Sequence, residues 1–259
     1  MLLPPPLRTR RDIPFYHDKT EAEFSADPYE RYAGLVARQT ALHLRDRAQP
    51  EVAYPFQPVL DYVLRWFPPE LMTLADIGCS TGRLIAELAE RNPAADCYGL
   101  DYSYQMLRQA RDYWCDGRTL RPHVAGAGFE ALELTAERRL SNLTFALARG
   151  EALPFSDGVL DGLLTTFLLD RLERPAAGLR ELRRVVRPGG RLCLVTPLNF
   201  LSSAGWRDFH PPVKLYQRLE TMGWRILDWT DPLVVREPID VRGNTMEWQC
   251  IALVSEATT

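Results

Sequence analysis

The groups able to do chemistry crowd into one short stretch, Leu74-Ala75-Asp76-Ile77-Gly78-Cys79-Ser80-Thr81-Gly82-Arg83-Leu84. An apolar run ends in the Asp76 carboxylate and passes through a loop with two glycines four residues apart. It then resumes as an amphipathic helix. A strand–turn–helix of this kind opens a doubly wound α/β sheet, in which ligands sit in the crevice at the carboxyl ends of the strands. Gly78 and Gly82 allow ligand and backbone to approach where a Cβ would clash. The dinucleotide fingerprint requires glycine at the first, third and sixth positions; here those positions hold Gly78, Ser80 and Arg83. No Gly-Lys-Ser/Thr follows, so the loop is neither a pyrophosphate cradle nor a P-loop.

A second acid follows at the spacing a nucleoside needs. Asp96-Cys97-Tyr98-Gly99-Leu100 reads as a strand ending in Asp101, 19 residues after Gly82. A carboxylate there can accept both hydroxyls of a ribose. Ser103 is suited to cap a helix over Tyr104 to Tyr113. Beyond it come Leu-Thr-Phe-Ala-Leu-Ala-Arg-Gly-Glu-Ala-Leu-Pro-Phe at residues 143–155, the apolar run Leu160 to Thr166, and Arg187-Pro188-Gly189-Gly190 before another apolar run.

The D-x-G-x-x-x-G pattern, with these segments in this order, resembles the class I S-adenosylmethionine-dependent methyltransferases, in particular those of quinone biosynthesis. The resemblance covers residues 73 to 197. It implies an α/β, Rossmann-like, doubly wound sheet of seven strands in the order 3-2-1-4-5-7-6, with the last strand antiparallel. It also implies S-adenosylmethionine as cofactor and S-adenosylhomocysteine as product. The cofactor residues implied are Asp76, Gly78, Cys79, Ser80, Gly82, Asp101, Tyr102, Met106, Gly150, Glu151, Thr166 and Phe167. Asp101 falls on the family's ribose-binding acid, and Met106 lies where the family often packs an apolar side chain on the adenine. Glu151 matches the glutamate of the family's "G-D-A-E-x-L-P-F" segment. Arg149, however, stands where the family usually carries the aspartate that accepts from the adenine amino group. Either Glu151 or a backbone carbonyl takes over that recognition, or the pocket is altered. Cys79, without a histidine in sequence reach, reads as a space-filler beside the glycines and not as a nucleophile.

Methyl transfer from a sulfonium requires alignment, exclusion of water and, for a protonated acceptor, a base. It requires no metal. Asp170, after the fourth strand, is one candidate base, with an N-cap or a surface ion pair as its structural alternative. His17 and His210 are the other two, each also readable as an ordinary surface or hydrogen-bonded histidine. Tyr16, Tyr29 and Tyr32 could roof the pocket or simply pack.

The elements that position these groups follow from periodicity. Residues 1–12 are rich in proline and arginine and read as a disordered or surface arm. Asp27-Pro28-Tyr29-Glu30 opens a helix through about residue 47, and a second runs from Pro58 to Phe67, stopped by Pro68-Pro69. Residues 1–70 thus form an arm and helical cap, and 71–259 the methyltransferase domain. Residues 115–142 lengthen the connection between the second helix and third strand; such an insertion is a functional lid or interface, or a disordered loop. A helix is expected over Val213 to Met222, closed by Gly223. Strands are expected at 224–229 and 248–254.

Composition excludes several classes. The 259 residues carry a net charge of −3, which leaves no electrostatic footprint for nucleic acid. Thr165-Thr166-Phe167-Leu168 lacks the Asn/Asp-Pro-Pro-aromatic motif of exocyclic-amino DNA methylases, and no cysteine follows a proline as in pyrimidine C5 methylases. The five cysteines have no paired spacing, which fits reduced thiols and a cytoplasmic setting. No apolar run reaches membrane-spanning length. The partner expected is a small-molecule methyl acceptor, methylated at O, N or C, with a homodimer left open. The alternatives are a synthase that uses another part of the sulfonium, and a non-catalytic methyltransferase-like scaffold.

Overall fold

A computed structural model describes residues 2–123 and 132–259. The chain opens with the short strands β1 (Arg8–Arg10) and β2 (Ile13–Phe15), followed by helices α1 (Glu21–Ala26), α2 (Pro28–Arg31), α3 (Ala33–Ala48) and α4 (Gln57–Trp66). The β/α alternation then runs β3 (Thr73–Ile77), α5 (Arg83–Arg91), β4 (Asp96–Asp101), α6 (Tyr104–Trp114), β5 (Leu143–Leu147), β6 (Leu160–Thr166), α7 (Pro175–Val185) and β7 (Val186–Thr196). Helices α8 (Ser203–Phe209) and α9 (Val213–Thr221) precede the closing hairpin, β8 (Trp224–Pro238) and β9 (Thr245–Ala257).

The strands lie in the order β1-β2-β5-β4-β3-β6-β7-β9-β8. Counted from β3, the last seven reproduce the expected 3-2-1-4-5-7-6, and β9 runs antiparallel to both β7 and β8. The sheet is nonetheless nine-stranded, not seven-stranded. The arm supplies the extra pair: β2 joins β5 in parallel through Phe15 and Leu147, and β1 folds back on β2. Burial explains why the arm holds. Ile13 and Phe15 enter the core, Leu3 is also buried, and Leu2 N donates to the Tyr98 hydroxyl at 3.3 Å.

The central strands are near-continuous apolar runs because helices cover both faces. One layer gathers Leu44, Val63, Phe67, Ile85, Leu107 and Trp114 from α3 to α6. The other gathers Leu179, Leu182, Phe209, Leu215 and Trp224.

Several boundaries differ from expectation for local reasons. The single helix expected from Asp27 is two. Asp27 Oδ1 caps the first, accepting from Tyr29 N at 2.8 Å, but extended backbone at Tyr32 separates α2 from α3. The Arg187–Gly190 turn is a bulge inside β7, where Leu160 pairs Val186 and Gly162 already pairs Arg191. The final hairpin is much longer than residues 224–229 and 248–254, because a bulge between Thr230 and Leu233 absorbs Pro232 without ending β8. In the insertion, Leu120 pairs Leu134, and Leu120, Leu132, Leu134 and Leu140 are buried against the core. Its Ala125-Gly126-Ala127-Gly128 run lies outside the described residues.

Candidate functional site

A cavity of about 780 Å³ opens at the carboxyl ends of β3, β4, β5 and β6, roofed by the N-terminal helices. Its size suits a cofactor with a small substrate. The loop after β3 is shaped by its hydrogen bonds: Gly78 N and Cys79 N both donate to Leu100 O, at 2.8 and 3.0 Å. Gly78 has φ +80°, and a Cβ there would press on the Leu168 side chain at 3.2 Å. Glycine satisfies both demands at once.

Asp101, at the tip of β4, ties the two strand ends together. Its Oδ2 accepts from Ser80 N and its Oδ1 from Ser103 N, both at 2.8 Å. Each oxygen keeps a lone pair for a ligand. Burial raises the Asp101 pKa, and the two backbone donors pull it partly back. Asp76 is buried at the end of β3, and its Oδ1 has no hydrogen-bond partner. Burial, with the nearby Asp101 charge, lifts its pKa well above the usual carboxylate range. Its unpartnered Oδ1, buried on the cavity wall, is left for a ligand group.

Eleven of the twelve residues expected to hold the cofactor line this cavity: Asp76, Gly78, Cys79, Ser80, Asp101, Tyr102, Met106, Gly150, Glu151, Thr166 and Phe167. Gly82 does not. It starts α5 at φ +75°, and a Cβ there would lie 2.6 Å from the Phe145 ring, so its role is helix entry and close packing. Burial raises the pKa of the Cys79 thiol, which keeps it protonated, in line with a space-filler.

None of the three candidate bases lines the cavity. Asp170 is buried in a 3-10 turn, where Oδ1 accepts from Thr196 Oγ1 at 3.2 Å and Oδ2 lies 3.3 Å from Arg171. It ties the exit of β6 to the exit of β7. His17 Nε2 lies 3.4 Å from Glu23 Oε1, with its ring 5.6 Å from Tyr102. His210 is exposed, beside the Trp206 ring at 5.2 Å. Of the three tyrosines, Tyr29 lines the cavity, Tyr16 donates to Pro4 O, and Tyr32 is exposed.

Arg149 explains itself through the N-terminal segment. Its guanidinium reaches Glu23 of α1 at 2.8 Å and Glu173 at 3.3 Å, and sits 5.8 Å from the Tyr102 ring. Beside it, Lys19 bonds Asp27 at 2.6 Å and Glu30 at 3.1 Å, and covers the Tyr102 ring at 4.1 Å. Where the family carries an aspartate, this chain carries a clasp that holds α1 over the cavity.

Apart from Phe167, the sequence reading missed an aromatic stretch of the cavity wall. There His43 stacks on Phe56 (4.9 Å), Phe56 meets Phe167 edge-on (5.7 Å), and Phe167 meets Trp248 (6.1 Å). His43 Nδ1 is 2.9 Å from the Tyr54 hydroxyl. Arg83 anchors this corner: it bonds Asp46 with both terminal nitrogens at 2.9 Å, Glu87 at 2.8 Å and His43 O at 2.9 Å. The one available signal was helical spacing, since Gln39, His43 and Asp46 fall on one face of α3.

The fold is an α/β domain of the methyltransferase type, with the cavity at the carboxyl ends of its central strands. Residues 75–194 match the family described as "Methyltransferase domain". A demethylmenaquinone methyltransferase of Thermus thermophilus is 30% identical over 60% of this chain and 54% of its own. A malonyl-[acyl-carrier protein] O-methyltransferase of Methylococcus capsulatus is 29% identical over 51% of this chain and 40% of its own. A SAM-dependent methyltransferase structure from Aquifex aeolicus shares the fold, with TM-score 0.51 at 16% identity, over 82% of this chain and 98% of that one. Residues 75–194 are therefore a methyltransferase domain of the class I S-adenosylmethionine-dependent type. The chain spans about two-fifths of the length of the first curated relatives it matches. Among the described residues, no helix is long and apolar enough to cross a membrane, and no cluster of metal-ligating side chains occurs.

Proposed function

We propose that this protein transfers a methyl group from S-adenosylmethionine to a small-molecule acceptor. The observation that carries the reading is the Asp101 carboxylate, fixed by Ser80 N and Ser103 N with a lone pair left on each oxygen. Asp101 would hold the ribose hydroxyls and Met106 the adenine. Asp76, its Oδ1 unpartnered, would face the positive end of the ligand. When bound, the sulfonium supplies an activated methyl carbon and a neutral thioether leaving group.

The chain's own work is then to align the acceptor and keep water out. The aromatic end of the cavity supplies a dry surface for the acceptor, and the clasp of Arg149 with Glu23 holds the roof down. The names of the relatives, which include quinone and acyl-carrier methyltransferases, support a small or carrier-borne acceptor. The test is incubation with methyl-labelled S-adenosylmethionine and a panel of aromatic and acyl acceptors, scored by labelled product and release of S-adenosylhomocysteine. Label in an acceptor is the expected result. No transfer to any member, from protein that binds the cofactor, would contradict it.

A further inference from the structure

We infer that His43, held by Tyr54, binds the hydroxyl of an uncharged aromatic acceptor. The inference rests on the cofactor reading above and names the acceptor class and the group that receives it. Three observations carry it.

The first is the state of the ring. His43 lines the cavity, Nδ1 is engaged by Tyr54, and among the described residues Nε2 makes no hydrogen bond. Burial and the Arg83 charge push the His43 pKa down to about 4, so the imidazole is neutral at physiological pH. Burial likewise raises the Tyr54 pKa and keeps the phenol protonated. When Nδ1–H donates to the Tyr54 oxygen, the Nε2 lone pair is left to accept a hydrogen bond.

The second is the wall. Tyr29, Tyr54, Phe56, Phe167 and Trp248 line the same cavity, and the ring contacts run unbroken from His43 to Trp248. Flat apolar faces of this kind favour an aromatic guest. The charges at this end are already spent on one another: Arg83 on Asp46 and Glu87, and Glu237 on Arg38 (2.7 Å) and the Trp248 indole N–H (2.9 Å). A charged acceptor would find no free counter-ion among them.

The third is a shared cavity. His43 and Tyr54 line the same cavity as Asp76, the residue assigned to the sulfonium. Methylation of a hydroxyl oxygen forms one O–C bond, returns the C–S electron pair to sulfur and leaves one proton. The His43 Nε2 lone pair would accept that proton and, being weakly basic, pass it on to solvent. Tyr54 acts as a positioning residue that holds the ring through Nδ1.

The experiment titrates the full chain, saturated with S-adenosylhomocysteine, with 2-naphthol and with naphthalene. The wild type should bind naphthol about tenfold or more tightly than naphthalene, the scale of one good hydrogen bond. In His43→Phe that ratio should fall towards one. Independently of any variant, naphthol should shift the 15N resonance of His43 Nε2 in the wild type. In Tyr54→Phe, which frees the ring at Nδ1, the naphthol preference should shrink while His43 is still present. An unchanged ratio in His43→Phe, bound naphthol that leaves the Nε2 signal unmoved, or a loaded wild type that binds neither compound would each overturn the inference. Failure of the folded wild type to bind S-adenosylhomocysteine would instead overturn the cofactor reading beneath it.

Discussion

Ser80 donates its backbone N–H to Asp101 Oδ2 at 2.8 Å, across 21 residues of sequence. This bond joins the loop after β3 to the tip of β4 and sets the Asp101 carboxylate before any ligand arrives. Ser80 itself sits at φ +53°, an unusual angle for a residue other than glycine. The turn through Gly78 and Ser80 is thus organised around the second acid as much as around its own glycines.

Asp76 should trade stability for binding. Its ionised form is disfavoured by burial, so the raised pKa marks a cost present above that pKa and relieved as pH falls through it. Asp76→Asn should therefore stabilise the ligand-free protein at neutral pH by about 1–3 kcal/mol, read by urea denaturation. The advantage over wild type should shrink towards acid pH. The same variant should weaken S-adenosylmethionine more than S-adenosylhomocysteine, because only the former is a sulfonium.

The pH dependence of cofactor binding follows from the same shifts. Burial raises both Asp76 and Asp101, so both begin to protonate at a higher pH than ordinary carboxylates. Calorimetric affinity for S-adenosylmethionine should accordingly decline on acidification, starting above the usual aspartate range. A flat profile down to pH 4 would contradict that.

Gly82 is predicted to matter through packing. Gly82→Ala places a Cβ at φ +75° and 2.6 Å from Phe145, and should destabilise the fold by about 2–4 kcal/mol. Adding Phe145→Leu should recover part of that loss, since a smaller side chain relieves the clash but not the backbone strain. Chemical denaturation of the single and double variants checks both statements.

Arg149 should control the roof. Its pairs with Glu23 and Glu173 are partly exposed, so Arg149→Ala should cost only about 1 kcal/mol of global stability. Amide exchange across α1 and α2 should nevertheless accelerate clearly. Arg149→Asp restores the carboxylate common in the family but sets it beside three glutamates, Glu23, Glu151 and Glu173; it should open the roof further and not rescue adenine recognition.

The central fold was legible because buried parallel strands must be apolar and their tips must carry the glycines and acids that meet ligands. The elements the sequence hid are those whose partners are remote. Arg8-Thr9-Arg10 is exposed and polar, and nothing local announces that Phe15 will pair with Leu147. His43 carries no motif; it reaches the cavity because Arg83, 37 residues beyond Asp46, docks α3 against α5. Asp170 stands at a strand exit, as a base would, but its carboxylate turns inward to Thr196. That Arg149 departs from the family pattern could be read from the sequence. Its reason could not, because Glu23 lies 126 residues away.

The most direct test of the account is a calorimetric titration of the wild type and Asp101→Ala with S-adenosylhomocysteine. The account predicts saturable binding by the wild type and a loss of about 1–3 kcal/mol in the variant, the scale of a charged hydrogen-bond acceptor removed. Equal affinity in the two proteins, or no binding by folded wild type, would contradict it.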